Sequence, residues 1–253
     1  MEFYKYQGTG NDFIMIDGFQ EKREISISEV RDLCHRRFGI GADGLIILKK
    51  RDGYDFEMDY FNADGSKSFC GNGSRCAQAF ANFLGLIKTD SKFYAIDGAH
   101  QGKKIGEDFG TLMRDVTEVQ ELGLDYFLNT GSPHYVKYVN DVDSVDVTAE
   151  GKAIRYSELY KKEGTNVNFV SIHEGFLKVR TYERGVEAET LSCGTGVTAV
   201  AISYLYKTGL KKNEIAIKTS GGDLRILLNR KSKTSFQDIW LIGPAVKVFK
   251  GNV

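Results

Sequence analysis

Little in this 253-residue chain points to an extended, membrane-bound or disulfide-built protein. Four cysteines are too few for a disulfide scaffold at this length, so a reducing cytoplasm is the expected setting. Two prolines leave no room for a proline-rich linker, and 28 glycines fit a compact, turn-rich chain instead. No stretch of 18 apolar residues occurs, so no membrane span is expected. The opening Met1-Glu2-Phe3-Tyr4-Lys5 lacks the charged-then-apolar layout of a signal peptide. Net charge is missing as well: 34 basic side chains balance 34 acidic ones, which argues against a nucleic-acid partner. Only four histidines are present, and neither C-x-x-C nor H-x-x-x-H spacing appears, so neither a metal site nor a dithiol-exchange motif is expected. A chain this long can bury about 70–75% of its unfolded surface without staples, and its length suggests one or two domains.

What the chain does contain is a repeat. Cys70-Gly71-Asn72-Gly73-Ser74 and Cys193-Gly194-Thr195-Gly196-Val197 lie 123 positions apart, close to half the chain, and each runs into a small, apolar, helix-like segment. Strand-like runs surround both. They include Phe3–Gln7, Phe13–Asp17, Leu45–Lys49, Tyr54–Phe61, Lys92–Ile96 and Thr111–Arg114 before the middle of the chain. Beyond it come Tyr135–Val139, Asn168–Ile172, Leu177–Tyr182, Ile215–Thr219, Asp223–Leu228 and Ile239–Ile242. Ser28–Phe38 reads as a helix capped by Ser28. Antiparallel-looking groups of strands with one central helix per half give an α+β fold. The halves are expected at 1–117 and 118–243. Val246–Phe249 forms a last strand with no partner assigned, and 244–253 is open to joining the first half.

One motif misleads. Gly39-Ile40-Gly41-Ala42-Asp43-Gly44 matches the literal G-x-G-x-x-G pattern. A dinucleotide site needs a strand before it and a helix after it; here a helix precedes and a strand follows, so it reads as a helix-exit turn.

A cysteine at a helix start sits among outward-pointing N–H groups at the positive end of the helix dipole, which favours thiolate. Glycines beside it let a ligand approach the backbone, and the N–H groups can hold a carboxylate or oxyanion. Two such sites could grip one carbon acid from both sides. A thiolate would remove the α-proton on one face, and a thiol would return one on the other, inverting the centre. Cys34 and Cys76 lie inside helices and read as core residues. A cysteine acyl-transfer enzyme using His134 or His173 would leave the second copy of the motif unexplained.

Phe61-Asn62-Ala63-Asp64-Gly65-Ser66, both Cys-Gly-x-Gly motifs, Glu183-Arg184-Gly185 and the N-terminal Gly8-Thr9-Gly10-Asn11-Asp12-Phe13 together resemble the diaminopimelate epimerase family along the whole chain. The resemblance implies a pyridoxal-phosphate-independent isomerase, without cofactor or metal, that interconverts LL- and meso-diaminopimelate for lysine and peptidoglycan precursors. It also implies a homodimer of two pseudo-symmetric α+β domains. Each would be a sheet wrapped round a central helix, with the site in the cleft between them. Carried over by position, Cys70 and Cys193 are the acid/base thiols. Gly71, Asn72, Gly194 and Thr195 hold the reacting carboxylate. Asn11, Asn62, Ser132, Asn166, Glu183 and Arg184 read the rest of a substrate whose distal end is itself an amino acid. His134 and Glu183 tune the thiols.

Two departures stand out: the family often has Asn where this chain has Ser132, and sometimes Gln where it has Gly44. Rival readings are a proline or hydroxyproline racemase, which has no distal end to read and usually carries His after its first Cys-Gly, and a binding protein that keeps the pocket without the chemistry.

Overall fold

A computed structural model describes residues 1–21 and 23–253. The chain divides into two compact units, residues 1–111 with 243–253, and residues 112–242. Among the described residues no helix is long and apolar enough to cross a membrane.

The first unit runs β1 (Glu2–Gly8), β2 (Asn11–Asp17), α1 (Ile27–Cys34), β3 (Gly44–Lys49), β4 (Phe56–Asn62), α2 (Gly71–Phe83), β5 (Asp90–Ala95), β6 (Gly98–Ile105) and β7 (Asp108–Leu112). The second runs β8 (Gln120–Leu122), β9 (Asp125–Asn129), β10 (Pro133–Tyr138), α3 (Val147–Arg155), β11 (Asn166–Ile172), β12 (Leu177–Glu183), β13 (Ala188–Thr190), α4 (Gly194–Thr208), β14 (Glu214–Thr219), β15 (Gly222–Arg230) and β16 (Phe236–Gly243). The chain then returns to the first unit as β17 (Val246–Asn252).

The pairing repeats step for step. β1–β2, β3–β4 and β5–β6 are antiparallel, while β2–β3 and β4–β5 are parallel. In the second unit β9–β10, β11–β12 and β14–β15 are antiparallel, while β10–β11 and β12–β14 are parallel. Even the added strands correspond, since β17 pairs antiparallel with β1 as β8 does with β9. The sheet-dominated α+β architecture of two pseudo-symmetric halves expected from sequence is what forms.

Each central helix is built to be swallowed by its sheet. α2 is rich in Gly, Ala and Ser, and nearly all of its residues from Asn72 to Ala81 are buried. α4 is apolar all round, the pattern of a fully buried helix. The strands are correspondingly covered on both faces. Phe13 and Met15 of β2 pack with α2's Phe80, while Ile14 and Ile16 face a second cluster with Val30 and Cys34 of α1. In the second unit Val136 and Val170 join the α4 core, and Val167, Phe169 and Tyr182 pack with Val147 of α3. Two-sided burial explains why these strands read as continuous apolar runs rather than alternating ones.

The first helix differs from the sequence expectation. It is capped by Ser26, not Ser28, and ends at Cys34. Glu29 stands three residues after Ser26 and closes a capping box with it, which Ser28 has no partner to make. α3 was absent from the sequence reading; Asp146 caps it, and Gly151 in its middle lets it lie directly on Tyr182. A Cβ on Gly151 would stand 2.4 Å from Tyr182 Cβ. Gly151→Ala is therefore expected to destabilise the second unit by about 1–3 kcal/mol. A lower urea midpoint at unchanged slope would show it; an unchanged midpoint would refute this packing.

Candidate active site

The repeated topology makes the candidate residues correspond across the two units. Phe13 pairs with Gly44, which pairs with Asn62. His134 pairs with Asn166, and the β11–β12 register (Val167 opposite Tyr182) extends to set Asn166 opposite Glu183. Asn11 thus corresponds to Ser132, Gly44 to Asn166, Asn62 to Glu183 and Cys70 to Cys193. Sequence reasoning named nearly all of these one by one, and the topology collects them into two equivalent rims.

In the first unit Cys70 is the extended N-cap of α2, with φ −129° and ψ 117°. Its sulfur accepts the Gly73 N–H at 3.4 Å and contacts Asn11 Oδ1 at 3.5 Å. The Asn11 amide is fixed from behind, because its Nδ2 donates to Asp43. Arg36 Nη2 in turn holds Asp43 and Asp12, each at 2.7 Å. Burial of Asp12 works against ionisation, but Arg36 and Lys5 outweigh it and pull its carboxyl down to about 2. Asn11 therefore presents its oxygen to the thiol because a charged network holds its nitrogen. Asn62 takes the Tyr60 hydroxyl on Oδ1 at 2.8 Å, and its Nδ2 gathers Ser66 and Ser68 of the loop leading to Cys70. The Gly44 departure has a structural reason: a Cβ there would lie 2.5 Å from Tyr60 Cε2, in the space the Tyr60 ring fills.

In the second unit Cys193 is likewise an extended N-cap, of α4, but without a side-chain cap bond. Its sulfur lies 3.5 Å from Thr195 Oγ1, while Thr130 Oγ1 donates to the Thr195 carbonyl at 2.8 Å. Asn166 donates to Ser132 Oγ and the Pro133 carbonyl, each at 2.9 Å, and accepts the Arg184 N–H at 2.9 Å. Arg184 is exposed, and among the described residues its guanidinium bonds the Glu163 carbonyl and Ser132 Oγ, leaving it able to fork onto a carboxylate. The Ser132 departure is thus accommodated: one hydroxyl links Asn166 and Arg184. Glu183 accepts from Thr190 Oγ1 at 2.9 Å.

His134 is wholly buried. Asn168 Nδ2 lies 3.1 Å from its Nδ1 and also donates to the Tyr135 carbonyl, which assigns the ring proton to Nε2. Among the described residues Nε2 has no hydrogen-bond partner. Burial, and secondarily the Arg184 charge, push the imidazolium down to about 3, so His134 is a neutral ring. Asn168, a rival to Asn166 by sequence, instead holds His134 and Thr181, and sequence reasoning missed Asp43, Tyr60 and Arg75. Of these only Arg75 carried a sequence signal, as the one charged residue in α2. Among the described residues no three His, Cys, Asp or Glu side chains gather as a metal site would require.

A proton balance follows from His134. Its ring takes up a proton near pH 6.5 when unfolded but near about 3 when folded. The stability it contributes is complete above pH 6.5 and is lost as the pH falls toward 3. His134→Gln should therefore lose less stability than the parent between about pH 7 and pH 4, read from urea midpoints. Parallel curves for the two proteins would contradict this.

The fold is shared with a PhzF-family protein and a hydroxyproline epimerase. A phenazine biosynthesis protein of the PhzF family from Bacillus anthracis matches with a TM-score of 0.79 at 12% identity, covering 100% of this chain and 98% of that one. A hydroxyproline epimerase from Agrobacterium vitis, solved with trans-4-hydroxy-L-proline, matches at 0.70 and 13% identity, covering 100% and 90%. At such identities these establish the fold alone. Within that class the sequence is specific: the family model described as diaminopimelate epimerase matches residues 3–98 and 126–248. Relatives bearing that name are 47% identical in Flavobacterium psychrophilum, over 100% of both chains, and 40% identical in Aquifex aeolicus, over 100% of this chain and 98% of the other. The chain belongs to the diaminopimelate epimerase family.

Proposed function

We propose that this chain is a diaminopimelate epimerase, an isomerase that interconverts the LL and meso forms of 2,6-diaminopimelate by a two-thiol mechanism. The observation that carries the reading is the matched pair of central helices, each with a cysteine N-cap followed by Gly-x-Gly. In this mechanism one thiolate takes the proton from the α-carbon and the C–H electron pair stays on carbon. The N–H groups of Gly71, Asn72, Gly194 and Thr195 hold the carboxylate into which that charge delocalises. The second thiol then delivers its proton to the opposite face. Configuration is inverted, the two sulfurs exchange protonation states, and atoms and electrons balance without an oxidant or reductant.

Asn11, Asn62, Ser132, Asn166, Glu183 and Arg184 serve the non-reacting end. Arg184 offers its fork to the distal carboxylate, and amide and carboxylate oxygens accept from the distal ammonium. Asn166, saturated by its own neighbours, acts by fixing Ser132 and the Arg184 backbone. His134 and Glu183 tune the thiols. We extend the proposal to a homodimer that acts in the cytoplasm and serves lysine and peptidoglycan precursor synthesis.

Incubation with LL-diaminopimelate in D₂O under reducing conditions should yield meso product carrying deuterium at the α-carbon. Cys70→Ala and Cys193→Ala should each lower turnover by at least about 10²–10⁴-fold while keeping the parent's urea midpoint. Racemisation of proline instead, or exchange without either thiol, would overturn the assignment.

A further inference from the structure

Among the described residues the largest wholly buried side chain is Arg75, one turn into α2. Arginine is almost never fully buried without a paired anion. Among those residues its guanidinium finds neutral acceptors, Asn72 Oδ1 at 3.0 Å, Thr9 Oγ1 at 3.3 Å and the Gly71 carbonyl at 3.4 Å, and its Nε finds no partner. A buried cation so placed requires a negative charge nearby at some stage of the protein's work.

The titratable groups around this turn are few. Cys76, on α2, is fully buried, and burial pushes its thiol up to about 12, so it stays protonated. Burial likewise raises Tyr6 on β1 far above its ordinary range. Asp108 on β7 acts on the guanidinium through space. Asp43 is engaged with Arg36 and reaches the site only through Asn11. The remaining titratable group is Cys70, the N-cap of the same turn, one residue before the Gly71 carbonyl that Arg75 bonds. The equivalent helix differs at this point. Counting five residues on from Cys193 gives Thr198, a neutral side chain that bonds the Gly194 carbonyl at 2.9 Å, where Arg75 bonds the Gly71 carbonyl.

Resting on the two-thiol reading above, we propose that Arg75 is a positioning residue whose buried charge makes Cys70 the resting thiolate and leaves Cys193, served by neutral Thr198, the resting thiol. Arg75 also braces the first turn through Asn72 Oδ1 and Gly71, so the cradle and the charge come from one side chain. When substrate binds, the same cation faces the carboxylate held at this helix end.

The test is alkylation, which needs no substrate. Iodoacetamide labelling of each cysteine is followed by peptide mass spectrometry across pH, in the parent and in Arg75→Gln and Arg75→Lys. In the parent Cys70 should react with an apparent pKa at least about one unit below that of Cys193, a tenfold difference in thiolate. Arg75→Gln should raise the Cys70 value by about one unit or more, leave that of Cys193 in place and lower kcat more than it raises KM. Arg75→Lys should restore part of the shift. A purely structural arginine would lower the urea midpoint without moving the Cys70 profile, and that result would overturn the proposal. So would earlier labelling of Cys193 in the unaltered chain, a measurement independent of whether any variant folds. Failure of the epimerase reading would appear separately, as absent exchange in D₂O with the alkylation order intact.

Discussion

The structure is arranged around the N–H groups at the first turn of a buried helix. A helix always leaves its first donors without intrahelical partners, and most proteins cap them with an oxygen. Here a sulfur stands at the cap of α2 and α4, and glycines beside it keep the backbone bare. The surrounding sheet holds that turn still. Small residues along α2 let strands close around it, and the largely apolar α4 does the same in the second unit.

Pseudo-symmetry gives the molecule two copies of one architecture, and the copies differ in their side chains. Equivalent positions hold Asn11 and Ser132, Gly44 and Asn166, Asn62 and Glu183, Arg75 and Thr198. The first unit's set is fixed by a charged network of Lys5, Asp12, Arg36 and Asp43, the second unit's by amide and hydroxyl bonds among Asn166, Ser132 and Arg184. The same backbone register thus carries an ionic scaffold in one unit and a largely neutral one in the other.

Much of this was legible in the sequence because the informative signals are local. A thiol followed by Gly-x-Gly and a small apolar run declares both a helix start and an anion cradle within a dozen residues. The features that escaped depend on distance or on context. Two serines stand close before α1, and only Glu29 decides between them. α3 carries Gly151 in its interior and forms because Tyr182 receives it. A lone arginine in a helix reads as solvent-facing until the fold shows that nothing around Arg75 is solvent. The partner of Val246–Phe249 lies at the other end of the chain, where no local pattern could indicate it.

That last pairing has a consequence for synthesis. β17 lies along β1, with Glu2 opposite Asn252, so β1 waits for a strand made long after it. Until β17 leaves the ribosome, the first unit keeps one open sheet edge, the kind of surface that recruits neighbouring chains. The second unit has no such delay, because β8 precedes β9 by a short turn and covers the corresponding edge at once. Two halves with one architecture are thus completed on different schedules, and the half bearing Cys70 closes only after the other has been made.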